Sequence, residues 1–554
     1  MQNKKKLNIF FSIIFLVTLY FSLAVGNLFY DSTQSPDFGK YKNYISFYSS
    51  ELEYTGLEQG NLYFFIVSKF IDIQSSNLNF YNYDEFISSR IQFANFIIFL
   101  ISLFPLYKLL KKYDYEYSEI IYSFIFLLFF PPLFSSRLIF KPEIFIFCLF
   151  CWCIFLLEEY LTNFNVYNLL SFLILLGIIT STKLTSALMV LLFFTIFYLK
   201  KIYKHISRKF FLYVLFFVVI VLIFTFENYK FNSFYFFESQ KTQIDAGYED
   251  TANINFFFNF DLIKLYEKPF KHQHSDSFIS ILLLETFDDY FELYWNSDES
   301  SFSKDRNVFF TPYLKNYFGI INTTLFYFFI FYYIKNKKEH TKFLISPLIG
   351  ILVMSLIAKF FIFNPDTGDM LKNYYYSFFL NLAFVFLVIN FIQKKVNIVK
   401  LIFLVIYVTS MLFIFGFPKS LSIENLDKIN EQNKTSITCT LNSKIFKSVN
   451  SKCYSFEKDI CKDYFNKTLK PNYVDGEIQY IQVIDNSSIE FNSSNSKSIV
   501  TNFESCDKTV KSGGIPKDIF KVSKYPIVHL FFVFLALFFY FSNLLFLNTV
   551  RNIN

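Results

Sequence analysis

The chain has 554 residues, of which 53% are hydrophobic and 23% aromatic, and its mean hydropathy is +0.35. Soluble domains average about 45–50% apolar residues with far fewer aromatics, so the composition excludes an ordinary soluble protein. The net charge of +7 is small for this length, and the basic residues cluster at the ends of apolar runs, which argues against a nucleic-acid partner.

Apolar runs long enough to cross a membrane recur along the chain. Crossing about 30 Å of hydrocarbon takes roughly 20 helical residues, and helices or closed barrels alone satisfy the backbone in lipid. We therefore predict an all-α polytopic membrane protein with about twelve transmembrane helices, the first of which is kept as an anchor rather than cleaved. The predicted spans are 8–26, 91–111, 118–135, 143–160, 167–181, 184–200, 209–226, 317–334, 343–363, 374–393, 397–416 and 526–548.

The positions of Lys and Arg orient these spans, because cytoplasmic connections carry an excess of both. With the amino terminus inside, the basic connections around 108–112, 200–209, 335–342 and 394–400 all fall on the inner side. Both termini are then cytoplasmic, in an integral membrane protein of a bacterial inner (plasma) membrane. The segments predicted to face outward are 27–90, 227–316, 364–373 and 417–525.

Cysteine usage divides the chain into a membrane domain, 1–416, and an outer domain, 417–525, followed by a final helix and cytoplasmic tail, 526–554. Cys148, Cys151 and Cys153 lie in an apolar run and are expected to be buried small hydrophobes. The outer segment holds four more cysteines, which suggests two disulfides of undetermined connectivity, with a zinc site as the rival. Its short alternating stretches predict a small β or α+β domain. The four cysteines are Cys439, Cys453, Cys461 and Cys506.

The polar segment 35–48 follows the first apolar run and carries Asp37 three residues before Lys40. An acid beside the membrane, close in sequence to a transmembrane helix, is placed where a membrane enzyme can keep a general base; the alternative is a solvated loop acid. The apolar stretch 60–73 is too short to span, so we predict a helix lying in the interface. Such a helix would hold Asp37 and Glu58 near the lipid surface.

Cations also collect at the predicted outer ends of the spans. Arg137, Lys141 and Glu143 follow two prolines as a span begins, and Lys183 lies in a Thr- and Ser-rich turn between two apolar runs. Lys372 belongs to the last predicted outer turn. Clustered cations at this depth can bind a phosphate. The alternative is that they are anchors whose long side chains reach for water.

The predicted outer segment 227–316 is much longer than is needed to connect two helices, which indicates that it has a function of its own. His272 and His274 supply two potential metal ligands without a clear third, so no cofactor is assigned and a divalent cation stays open. The acidic and aromatic stretch 281–298 suits sugar binding or an interfacial helix. Its weak site candidates are Asp288, Asp289 and Glu292.

Several of these pieces occur together in one family. The outer loop SPDFGKY, the short apolar helix NLYFFIVSKF, the Arg137-x-x-x-Lys141-Pro142-Glu143 turn and the Gly177-to-Lys183 turn resemble the GT-C glycosyltransferases. That membrane group includes the protein mannosyltransferases and the lipid A aminoarabinose transferase. The resemblance covers roughly residues 1–390. The chain has a lone Asp37 where many members have an adjacent acid pair, so Asp31 and Glu58 are rival bases.

The resemblance implies a transferase that moves a sugar from a polyprenyl-phosphate carrier to a lipid or glycan acceptor on the extracytoplasmic side. Asp37 would be the general base. The residues expected to bind substrate are Glu58, Arg137, Lys141, Glu143, Lys183 and Lys372. An O-antigen-polymerase-like enzyme and a transporter or flippase of lipid-linked glycans are the alternative functions.

Overall fold

The computed structural model describes most of the first 393 residues and short backbone segments near the carboxyl terminus. The described residues are 2–29, 32, 41, 60–71, 80–206, 209–232, 252–287, 312–335, 340–360, 373–393, 446–449, 452–456, 480–483, 489–492, 497–500 and 503–506. Predictions that fall on Asp31, Asp37, Glu58, Lys372 and the runs 397–416 and 526–548 lie outside them.

Helices dominate the first part of the chain. They are α1 (Gln2–Phe29), α2 (Asn61–Ser68), α3 (Phe80–Lys112), α4 (Tyr117–Leu128), α5 (Pro131–Leu138), α6 (Glu143–Asn163), α7 (Val166–Thr182), α8 (Leu184–Ile206), α9 (Phe210–Asn232), α10 (Ile254–Phe258), α11 (Leu262–Glu267), α12 (Phe278–Glu285), α13 (Pro312–Ile334), α14 (Thr341–Phe360) and α15 (Ser377–Gln393). Short 3-10 helices cover Lys271–His274 and Asn373–Tyr376.

The predicted spans are confirmed as helices wherever the structure describes them. Five helices are long and apolar enough to cross a membrane, namely 88–112, 143–163, 184–204, 316–334 and 341–360, and the bent pair α4 and α5 makes a sixth if it counts as one span. Shorter apolar helices cover 8–24, 166–182, 210–225 and 377–391. The chain is therefore an integral membrane protein by length and composition of its helices, while the total of twelve crossings stays a prediction.

Polar contacts mark the two ends of the bundle. At one end, the ammonium of Lys112 donates to the Glu158 carbonyl at 2.6 Å, and Lys342 is paired with the Glu158 carboxylate. At the other end, Glu143 and Lys183 form an ion pair at 2.5 Å. We name these the Lys112 end and the site end. Successive long helices alternate in direction between them, so the described helices agree with the predicted alternation of connections.

The predicted span 118–135 is a helix that breaks and turns. Helix α4 ends at Leu128, and α5 begins at Pro131 with an angle of 60° between the two axes. Proline lacks an amide hydrogen, so Pro131 and Pro132 fit the first turn of a helix but not its interior. The pair of prolines therefore starts a short second helix, Pro131–Leu138, where the sequence predicts one continuous span from 118 to 135.

Residues 252–287 cover the site end. The amide of Ala252 donates to the Ala358 carbonyl at 2.8 Å, and Asn316 donates from its side chain to the Pro269 carbonyl at 2.6 Å. Phe287 packs against Phe130 with ring centroids 5.4 Å apart. The segment is thus fixed to α14, to α13 and to the bend between α4 and α5.

Near the carboxyl terminus the backbone forms two antiparallel three-stranded sheets. The strands are β1 (Phe446–Val449), β2 (Lys452–Phe456), β3 (Tyr480–Val483), β4 (Ile489–Asn492), β5 (Lys497–Val500) and β6 (Phe503–Cys506), in the orders β1-β2-β6 and β3-β4-β5. Cys453 and Cys506 are direct cross-strand partners.

Candidate functional site

Arg137 is a fully buried cation in the last turn of α5. One of its terminal nitrogens, Nη2, donates to the carbonyl and to the hydroxyl of Ser22 in α1, each at 2.8 Å. Its guanidinium lies 5.5 Å and 5.2 Å from the ring centroids of Phe96 and Phe134. Nη1 has no hydrogen-bond acceptor within the described ranges. A buried guanidinium with neutral partners and a spare donor is suited to an anionic ligand.

Glu143 and Lys183 bring two distant turns together. Glu143 lies in the first turn of α6 and Lys183 is the C-cap of α7, so each charge complements the dipole of its own helix. Both side chains are buried, and the ammonium of Lys183 also lies 3.9 Å from the ring centroid of Tyr375. Oε2 of Glu143 has no hydrogen-bond donor among the residues described. One carboxylate oxygen therefore holds Lys183 while the other can accept from a ligand.

The side chains of Asn95 and Tyr63 form hydrogen bonds at the turn between α5 and α6. The Asn95 amide donates to the carbonyls of Arg137 and Ile139, each at 3.0 Å, and its oxygen accepts from the Tyr63 hydroxyl at 2.9 Å. Burial raises the pKa of Tyr63 well above its ordinary value, so the hydroxyl stays a neutral donor. Every polar atom of the Asn95 side chain is used, which fixes the turn that carries Arg137 and Lys141.

Helix α2 attaches the first outer loop to this site. The amide of Gly60 donates to the Thr182 carbonyl at 2.9 Å, next to Lys183. A β-carbon on Gly60 would stand 2.4 Å from the Ser181 carbonyl oxygen, so the close approach requires glycine. The predicted short helix is therefore confirmed, with Tyr63 and Phe64 buried in the bundle.

Tyr41, which follows Asp37 in the sequence, packs at the same place. Its buried ring lies 5.2 Å from Phe64 and 5.9 Å from Phe140, the residue before Lys141. Asp37 precedes Tyr41 by four residues, and Lys372 precedes Tyr375 by three. Asp37, Glu58 and Lys372 themselves lie outside the described residues, so their separation from the cations stays untested.

The sequence-predicted residues that the structure describes all lie at one end of the bundle. Arg137, Lys141, Glu143 and Lys183 are each buried, with no more than 7% of any residue exposed. Anchors that reach for water would leave their charged ends in solvent. Burial therefore counts against the anchor interpretation for these four residues.

The structure contains a second buried ion pair that the sequence does not predict. Lys271 and Glu285 form an ion pair, and their side chains are only 1% and 5% exposed. Glu285 also lies near enough to Tyr376 for the two groups to interact electrostatically. Tyr375 and Tyr376 therefore stand between this pair and the Glu143–Lys183 pair. The signal in the sequence is a Lys and a Glu placed 14 residues apart in apolar surroundings.

His274 has a plainer role than metal binding. Nε2 of His274 lies 2.8 Å from the Lys268 carbonyl, and burial lowers the pKa of His274. Among the described residues, the structure contains no group of three His, Cys, Asp or Glu side chains placed to hold a metal ion. Cys148, Cys151 and Cys153 are buried free thiols, as expected from their apolar run.

Comparisons of the chain with protein-family models, with curated proteins and with solved structures found no match.

Proposed function

We propose that this protein is a membrane glycosyltransferase that moves a sugar from a polyprenyl-phosphate donor to a lipid or glycan acceptor. The observation that carries the proposal is the burial of three cations, Arg137, Lys141 and Lys183, together with Glu143 at one end of the bundle, where Lys183 pairs with Glu143. Buried charge at a helix end in a membrane bundle is a functional candidate by default. Buried cations there suit the headgroup of a lipid phosphate, whose chain stays in the bilayer.

The charge distribution supports an extracytoplasmic site. Lys200, Lys201 and Lys204 are exposed on the last turns of α8, at the Lys112 end, where the positive-inside rule places the cytoplasm. The buried cations lie at the opposite end. A carrier lipid that presents its sugar outside the cell would meet them there.

In the proposed reaction, Asp37 takes the proton of the acceptor hydroxyl as that oxygen forms a bond to the anomeric carbon. The bond from the anomeric carbon to the phosphate oxygen breaks, and its electron pair leaves with the polyprenyl phosphate. Arg137 and Lys183 stabilise the charge that grows on the departing phosphate. Packing of Tyr41 against Phe140 supports Asp37 as the base, because it places a residue only four positions after Asp37 next to the turn of Lys141.

The test uses the full chain reconstituted in vesicles with a panel of radiolabelled short-chain polyprenyl-phosphate hexoses and pentoses. We expect Asp37→Asn to abolish transfer while polyprenyl-phosphate binding is kept, because the base acts in the chemical step. Asp276→Asn is the matched control, since Asp276 is an exposed acid at the same end of the bundle. Full activity of Asp37→Asn would move the base to Glu58 or Asp31, and a wild-type chain that neither binds nor uses any of these donors would reject the proposal.

A further inference from the structure

Six large apolar side chains stand exposed on the segment that covers the site end. They belong to α10, α11 and their connection, and we name them the 254–266 wedge. Their exposed fractions are 60% for Ile254, 79% for Phe258, 41% for Phe260, 67% for Leu262, 71% for Ile263 and 71% for Tyr266.

The two helices that carry these exposed side chains also have a buried side. Phe256 and Leu265, on the opposite side of the same two helices, are only 6% and 2% exposed. Asn253 caps α10, and the Asp261 carboxylate caps α11 by accepting from the Lys264 amide at 2.9 Å. The chain therefore turns one apolar side into the protein and holds the other outward.

Both ends of the wedge are attached to helices long enough to span a membrane. Ala252 is bonded through its amide to Ala358, and its carbonyl accepts from the Lys359 ammonium at 3.1 Å. At the other end, the Tyr317 hydroxyl of α13 donates to the Tyr266 carbonyl, and the two rings stack with centroids 5.6 Å apart. The wedge thus lies at the height where α13 begins and α14 ends.

Helix α14 also carries an exposed apolar stripe. Leu352, Leu356 and Phe360 recur every four residues and are 49%, 43% and 70% exposed, as expected for a face turned to lipid. Exposed apolar surface as large as that of the wedge marks a contact with a membrane or another protein. Attachment of the wedge to the ends of two helices long enough to span a membrane favours the membrane.

We propose that the 254–266 wedge inserts into the bilayer interface and holds the cover of the site end against the membrane. Amphipathic elements of this type sink about 5–10 Å into the boundary between headgroups and acyl chains. Asp261, Lys264, Glu267 and Lys268 balance one another in formal charge, so apolar area drives the insertion and anionic lipid is not required. The inference stands apart from the proposed chemistry, since it concerns only how this segment meets lipid.

The experiment measures where a tryptophan placed on the wedge resides. Phe258→Trp and, separately, Ile263→Trp are made in a chain carrying Trp152→Phe and Trp295→Phe, then reconstituted in vesicles of phosphatidylcholine with or without bromine on the acyl chains. We expect brominated lipid to remove most of the fluorescence of both, while iodide in the buffer has little effect. Phe256→Trp, on the buried side, is the matched control and should be quenched by neither.

Two outcomes would overturn the proposal. Quenching of both wedge variants by iodide but not by brominated lipid would place the wedge in water. Protection from both quenchers would mean that protein covers it, as in contact with a second copy of the chain. If the double Trp→Phe background does not fold, the quenching added by each variant is measured with Trp152 and Trp295 in place.

Discussion

At the scale of single residues, the pairing of Glu143 with Lys183 explains how charge persists inside an apolar bundle. Removing two charges from water costs several kcal/mol per ion, and attraction offsets this cost only with close geometry and further hydrogen bonds. The 2.5 Å contact supplies the geometry, and the ring of Tyr375 gives the ammonium a second contact. Oε2 of Glu143 has no hydrogen-bond donor in the part of the chain that the structure describes, so it is placed to accept from a ligand.

The sequence predicts that Lys183 lies in a polar turn, but not what it contacts. Its Thr and Ser neighbours indicate the break between α7 and α8, which the structure confirms at that single residue. Glu143 is 40 residues earlier in the chain. No local pattern records which distant turn a helix end will meet, so this pairing required the packed bundle.

Gly60 gives a test of how α2 is held at the site. Gly60→Ala should lower the free energy of unfolding by about 1–3 kcal/mol, because the new methyl group meets the backbone of Ser181 and Thr182, which cannot turn aside. Gly26→Ala is the matched control, since its methyl group would meet Cδ2 of Leu138, the far end of a flexible side chain that can move aside. The measurement is thermal or denaturant unfolding of the purified protein in detergent. Equal losses for the two variants would contradict the tight docking of Gly60.

At the scale of elements, the break between α4 and α5 brings Arg137 into the bundle. An unbroken helix from 118 to 135 would carry the chain straight out, whereas the 60° turn lays α5 back against α3 and α15. Phe130 secures the bend by stacking on Phe384 with ring centroids 4.0 Å apart. The two prolines indicate a break in the helix, but the direction in which the chain continues after them depends on packing partners that are distant in the sequence.

The Lys271–Glu285 pair ties the 3-10 helix Lys271–His274 to α12 and gives a test of the cover over the site. Lys271→Met should cost about 3–5 kcal/mol of folding free energy, because it leaves Glu285 buried without its partner. The double variant Lys271→Met/Glu285→Leu should recover most of that stability, since an apolar pair needs no partner charge. Unfolding in detergent gives both values.

The exposed pair Lys264–Asp276 in the same segment is the control. Its side chains are 39% and 57% exposed, and breaking such a surface pair costs about 1 kcal/mol or less. If Lys271→Met were no more destabilising than Lys264→Met, the Lys271–Glu285 pair would not be the buried contact described.

At the scale of the whole molecule, polar contacts at the two ends of the bundle hold the helices against one another. Besides pairing with Lys342, the Glu158 carboxylate accepts from the hydroxyls of Tyr198 and Tyr113 at 2.7 Å and 3.2 Å. These contacts join α3, α6, α8 and α14 at the Lys112 end. Both acids at this end of α6 are paired, Glu158 with Lys342 and Glu159 with Lys112.

Much of this architecture follows from the sequence, since hydropathy predicts the long apolar helices that the structure describes, although not the short helices α10, α11 and α12. The lipid solvent makes that inference reliable, because a long apolar run has few alternatives to a helix. Contacts between helices are less predictable, since the many Phe residues pack in numerous equivalent ways. Buried polar pairs such as Lys271–Glu285 therefore become visible only in the folded chain.

The alternation of the helices predicts the side of the membrane on which each end lies. Cysteine at position 276, as Asp276→Cys, should react with a membrane-impermeant maleimide on intact cells, whereas Lys201→Cys should react only after the membrane is opened. Both positions are exposed and lie at opposite ends of the bundle. Mass spectrometry of the labelled peptides distinguishes them from the native cysteines. Labelling of both in intact cells would contradict the alternation, and the reverse pattern would place the site in the cytoplasm.

The most direct test of a phosphate site at Arg137 compares the binding of a short-chain polyprenyl phosphate with that of the polyprenol of the same length. Hydrogen bonds to a charged group contribute about 1.5–3 kcal/mol each, so we expect the phosphate to bind about 10- to 100-fold more tightly. Arg137→Gln should remove most of that difference, and Arg90→Gln, an exposed arginine at the same end, should leave it unchanged. Equal affinity of the wild-type chain for the phosphate and the alcohol would contradict the proposed site.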